Sequence, residues 1–215
     1  MKGLKDSVSG VSHMIGALIA LIGLVILVAF STYYGSLINI ISYSVFGISM
    51  VLLYTASASY HLIKTDSTLL RKLDHIMIFV LIAGTYTPIL LGPLYGTLSI
   101  VMLIILWTLV LEGIFIKIFW INAHRWISSG IYLAMGWSAV FIIYPMIKTF
   151  NELHAMGNLI WLLLGGLFYT VGGIVYGLKK PDFKSKYFGF HEFFHICILF
   201  GTISHFIFIL SLLFI

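Results

Sequence analysis

The chain has 215 residues, of which 61% are hydrophobic and 9% charged, with a mean hydropathy of +1.11 and a formal net charge of +5. A soluble domain carries about 25% charged residues, and so few charges cannot coat a water-soluble globule of this size. The twelve Lys and Arg are spread along the chain rather than gathered in one stripe, which argues against a nucleic-acid partner and leaves an integral membrane protein.

Seven apolar stretches follow in order, each near the ~20 residues that a helix needs to cross the hydrocarbon. The first, 12–32, carries His13 and follows Lys2 and Lys5. Its apolar run exceeds a signal-peptide core of about 7–15 residues, so it reads as a retained span. The second, 38–61, ends on Ser57-x-x-x-His61, and a charged connection from Lys64 to Lys72 leads to the third, 74–92, which begins at Asp74. The fourth, 97–118, contains Glu112. The fifth, 126–146, follows Asn122 to Arg125, and the sixth, 157–177, follows Lys148 to Glu152. The seventh, 190–213, opens with His191 and His195 and includes the lone Cys197, a packing residue with no intramolecular disulfide partner. Runs such as Ile100 to Leu111 are apolar on every side, unlike the alternation of a membrane β-strand. The expected architecture is an all-α bundle of seven transmembrane helices forming one domain over 1–215.

Basic residues orient the bundle. Lys2, Lys5, Lys64, Arg71, Lys72, Lys117, Arg125, Lys179, Lys180, Lys184 and Lys186 fall on one side, and only Lys148 falls on the other. The positive-inside rule makes the crowded side cytoplasmic. The N-terminus is then inside and the C-terminus outside, in a multi-pass protein of the cell membrane.

This topology places Ser57, His61, Asp74, His191 and His195 at one depth, within about two helical turns of the inner interface at 1.5 Å per residue. Ionisable groups within a bilayer are costly and mark function. His191 and His195, spaced i and i+4, share one helix face, and His61 adds a nitrogen from another helix. Three protein nitrogens with an open position is the pattern of catalytic zinc, and imidazole suits zinc better than magnesium. Asp74 could be a fourth ligand or the base that binds and deprotonates a metal-bound water. Ser57 could orient a ligand or stabilise an oxyanion.

Taken singly, these residues have plainer roles. A lone interfacial histidine is usually an anchor, and Asp74 alone could cap a helix. His13 and Glu112 lie on the same side, and either could join the site, although interfacial or buried-pair roles are the plainer expectation. His75 should point about 100° away from Asp74, His205 lies some 20 Å deeper than His191, and His124 and His154 read as loop residues. His191-Glu192-Phe193-Phe194-His195 also spells H-E-x-x-H, the zinc-protease signature in which the Glu is general base. No acidic residue follows Glu192 to supply a later ligand, which weakens the protease reading but leaves Glu192 as a second candidate base.

Ser57-x-x-x-His61, Asp74-His75 running into Leu81-Ile82-Ala83-Gly84-Thr85-Tyr86-Thr87-Pro88, His191-x-x-x-His195 and the early Ser12-His13-x-x-Gly16 together resemble the hemolysin III family. That family is the bacterial branch of the progestin and adipoQ receptor group, related to alkaline ceramidases. The resemblance covers essentially the whole chain. It implies a seven-helix bundle with zinc near the inner leaflet, held directly by His61, His191 and His195, with Asp74 holding the zinc-bound water. The expected activity is zinc-dependent amide or ester hydrolysis, or sensing, of membrane lipids, with Asp74 and Ser57 as catalytic groups. The alternatives are a membrane-permeabilising protein, as the family name implies, and a non-catalytic homeostasis sensor with structural zinc.

Overall fold

The computed structural model describes residues 7–63, 67–122, 124–181, 183, 185 and 188–215. Regular structure in them is helical: α1 Ser7–Tyr34, α2 Leu37–Leu62, α3 Thr68–Leu91, α4 Thr97–Phe119, α5 Arg125–Trp137, α6 Ile143–Glu152, α7 Leu159–Leu178 and α8 Phe190–Ser211. These make seven segments long and apolar enough to cross a membrane, with α5 and α6 sharing the fifth. Helices are the natural solution because lipid offers no water to satisfy backbone N–H and C=O groups.

Two spans differ from the sequence expectation. The third starts at Thr68 rather than at 74. Ser67 caps it, its Oγ accepting the Leu70 amide at 3.4 Å. Asp74 therefore stands inside α3 and is not its N-cap. The fifth, expected as one helix over 126–146, is interrupted by a 3₁₀ segment, Ser138–Ile142. Pro145 has no N–H to give the Phe141 carbonyl, and its ring crowds that turn. Side chains serve the carbonyls just before the interruption. Tyr86 donates to Gly136 O at 2.5 Å, and Ser138 donates to Met135 O at 2.7 Å.

In lipid, helices associate through close packing rather than through a hydrophobic drive, which favours small residues at their contacts. A Cβ on Gly16 of α1 would lie 2.8 Å from both Leu199 of α8 and Tyr54 of α2. Gly84 of α3 sits closer still against Ser49 of α2. These approaches bring α1, α2, α3 and α8 around a core that includes Phe46, Tyr54, Phe79 and Phe208. The histidines are carried at the inner end of this set.

Candidate metal centre

His61 occupies the last turn of α2, and His191 and His195 occupy the first two turns of α8. The start of α8 is fixed by a capping arrangement. Glu192 Oε2 accepts the Gly189 amide at 2.8 Å, and its Oε1 accepts the Ser9 hydroxyl of α1 at 3.1 Å. This carboxylate thus serves the helix terminus and α1, and the H-E-x-x-H reading loses its base. Sequence spacing alone could not show that a capping contact had claimed it.

His61, His191 and His195 present ring nitrogens that all lie within 4.8 Å of one another, a group able to hold a metal ion. His61 Nε2 and His191 Nε2 are 3.4 Å apart. Two nitrogens on one tetrahedral zinc, each at about 2.0–2.1 Å, stand about 3.4 Å apart, so the pair fits such an ion. His61 and His195 are buried and His191 is half-buried, which removes competing water from the donors. An all-imidazole set suits zinc and its neighbours in the transition series.

Asp74 and Ser57 line the same cavity as His191 and His195. Asp74 is not a member of the three-histidine group. Its Oδ2 lies 3.6 Å from His75 Nδ1. His75, expected to face elsewhere, also lines the cavity. Its Nδ1 donates back to the Arg71 carbonyl at 2.8 Å, and that bond to the preceding turn swings the ring alongside Asp74. Tyr132 donates to the His75 carbonyl at 3.1 Å, fixing this shelf from α5.

His13 is the residue that sequence reasoning undervalued. It is buried, its ring is tilted against His195 at 3.8 Å between centroids, and it meets Tyr54 edge-on at 5.0 Å. The signal was present in Ser12-His13-x-x-Gly16, because Gly16 is what lets α1 approach closely enough to deliver the imidazole. Glu112 is exposed on α4, and His124 and His154 are exposed in connections. His205 is buried and meets the Leu162 carbonyl at 3.2 Å. It too lines the cavity, at the end away from the histidine group.

That cavity has a volume of about 650 Å³. It runs from His13, Ser57, Asp74, His191 and His195 along Ile82, Tyr86, Leu162 and Ile198 to Met146, Met156 and Leu159 of the outer half. Its walls are overwhelmingly apolar beyond the site.

Fold and site together define a class: a seven-helix membrane protein with a three-histidine group at the cytoplasmic end of the bundle. Within that class the chain belongs to the Haemolysin-III related family, whose sequence profile matches residues 1–206. It is 40% identical over 204 residues to a Hemolysin-3 homolog of Bacillus subtilis, covering 94% of this chain and 91% of that one. It is 34% identical over 200 residues to Hemolysin-3 of Bacillus cereus, covering 92% and 87%. A more distant likeness, 26% over 193 residues, links it to the adiponectin receptor protein of Drosophila melanogaster, covering 77% of this chain and 41% of the receptor.

Proposed function

We propose that this protein binds zinc through His61, His191 and His195 and hydrolyses an amide or ester bond of a membrane lipid at the inner leaflet. The carrying observation is that the three-histidine group opens onto a long apolar cavity. Ligand sites are typically concave and apolar with a few convergent polar groups, and an acyl chain suits these walls. Zinc, when held there, supplies the Lewis acidity that makes water a nucleophile near neutral pH. Asp74 accepts the proton of the attacking water and passes it to the leaving nitrogen or oxygen. Ser57 donates to the oxygen that becomes negative at the scissile carbonyl. Water is added across the bond, releasing a fatty acid and an amine or alcohol.

Metal content by mass spectrometry, on detergent-purified protein and on His191→Ala, tests the site. One zinc per chain, lost in the variant, supports it. Asp74→Asn should keep the metal and abolish turnover of amide- and ester-linked lipids, and retained turnover sinks Asp74 as base.

Two other readings have observations of their own. His13, tilted against His195 though outside the three-histidine group, could add a fourth nitrogen by a change of rotamer, and a closed four-ligand site is the structural pattern, which favours a sensor over an enzyme. Spectra of the cobalt-substituted protein separate four nitrogens from three plus water. The relatives named Hemolysin-3 favour a permeabilising protein. Dye leakage from liposomes that persists in His191→Ala would replace the hydrolase reading with that one.

A further inference from the structure

A second cavity, of about 330 Å³, opens at the cytoplasmic end and shares no lining residue with the first. Arg71 of α3, Asn122 and His124 of the α4–α5 connection, Arg125 and Trp126 of α5, and Lys179 after α7 line it. Three permanent positive charges thus converge on one hollow. Among the described residues, no carboxylate forms an ion pair with any of the three. Like charges gathered in one hollow repel, and an anion seated among them relieves that repulsion.

The cations are also held in place. Arg71 donates to Asn122 Oδ1 at 3.1 Å. The Arg125 guanidinium lies over the Tyr176 ring at 5.1 Å and the Phe190 ring at 5.6 Å, contacts that orient it while leaving its N–H groups to other partners. Lys179 ends α7 with φ 56°, a conformation uncommon for a residue bearing a Cβ. The start of α5 adds a favourable field, since His124 provides no side-chain cap for its first amides. Exposed Trp126 marks the depth, because tryptophan prefers the level of the lipid head groups.

We infer that this hollow binds a phosphate group, with Arg71 and Arg125 as its forked donors and Lys179 as a point charge. Arginine matches phosphate oxygens in pairs, and basic hollows between helices on the cytoplasmic side hold anionic head groups. The rings that hold Arg125 also flank His191, but phosphate binding in the hollow needs none of the metal chemistry proposed there.

Native mass spectrometry after extraction from vesicles of mixed phosphatidylglycerol and phosphatidylcholine tests this. The wild type should retain phosphatidylglycerol in preference, and each of Arg71→Gln, Arg125→Gln and Lys179→Gln should reduce that preference about fivefold. Lys148→Gln, on the opposite face, should leave it unchanged. If the wild type retains neither lipid preferentially but is stabilised by inorganic phosphate, and the triple variant is not, the ligand is free phosphate. A wild type indifferent to both probes overturns the site, as does a correctly folded triple variant with the wild-type preference.

Discussion

Beside the histidines, α1, α2 and α8 meet at fully buried Tyr54, which is edge-on to His13 and bonded to Thr202, and α3 packs on α2 through Gly84. The α5–α6 and α7 spans show most of their surface outward. In the third span 61% of the apolar stretch is buried, against 17% in the fifth and 11% in the sixth. The break between α5 and α6 falls on the loosely packed side, and the long cavity runs between that side and the packed set. Each half thus suits a different part of the proposed function: metal ligands tolerate little displacement, whereas a long flexible ligand needs room.

The largest expected effect removes the group that the packed half supports. His195→Ala should lose the metal and, with it, the metal-linked stability, about 4 kcal/mol when zinc stands a thousandfold above its Kd. Thermal melts with and without chelator read this, and a chelator effect that survives in the variant places the ion elsewhere. Next is Gly84→Ala. The new Cβ would drive into Ser49, whose hydroxyl is already committed to the Phe46 carbonyl at 2.6 Å. Overpacking of this kind costs about 1–3 kcal/mol, and a neutral result would mean that α2 and α3 separate easily.

On the loose side the effects shrink and then change sign. Tyr86→Phe removes the hydroxyl that serves the carbonyls at the α5 break, a loss of about 1 kcal/mol. Amide exchange should quicken over 135–142 and stay unchanged around His195. Gly166→Ala adds a Cβ that meets nothing within 4 Å. It should stabilise α7 by up to about 1 kcal/mol through helix propensity. Destabilisation by Gly166→Ala would show that this half is packed after all.

Much of this contrast was hidden in the sequence. Span count and the clustering of Ser57, His61, Asp74, His191 and His195 at one end were legible, because hydropathy and helical rise are local rules. The break was not. Pro88 and Pro145 look alike on paper, yet α3 continues through Pro88 inside the most buried span, whose neighbours hold it helical. Pro145 lies in a span with few neighbours, and there the chain yields. The roles of His13, His75 and Glu192 also depended on partners distant in sequence: His195 for His13, Tyr132 for the His75 backbone, and Ser9 for Glu192. Periodicity describes one helix at a time and carries no such information.

The Ser9–Glu192 hydrogen bond joins positions 183 residues apart, and His13 touches His195 just above it. Because α1 leaves the ribosome before α8, it waits for α8 before these contacts can form. During synthesis α1 and α2 can pair early, but His61 remains without its companions until α8 has inserted. Assembly of the centre is thus a late event of biogenesis. A chain stalled before residue 190 would carry one imidazole of the three-histidine group and lack the other two.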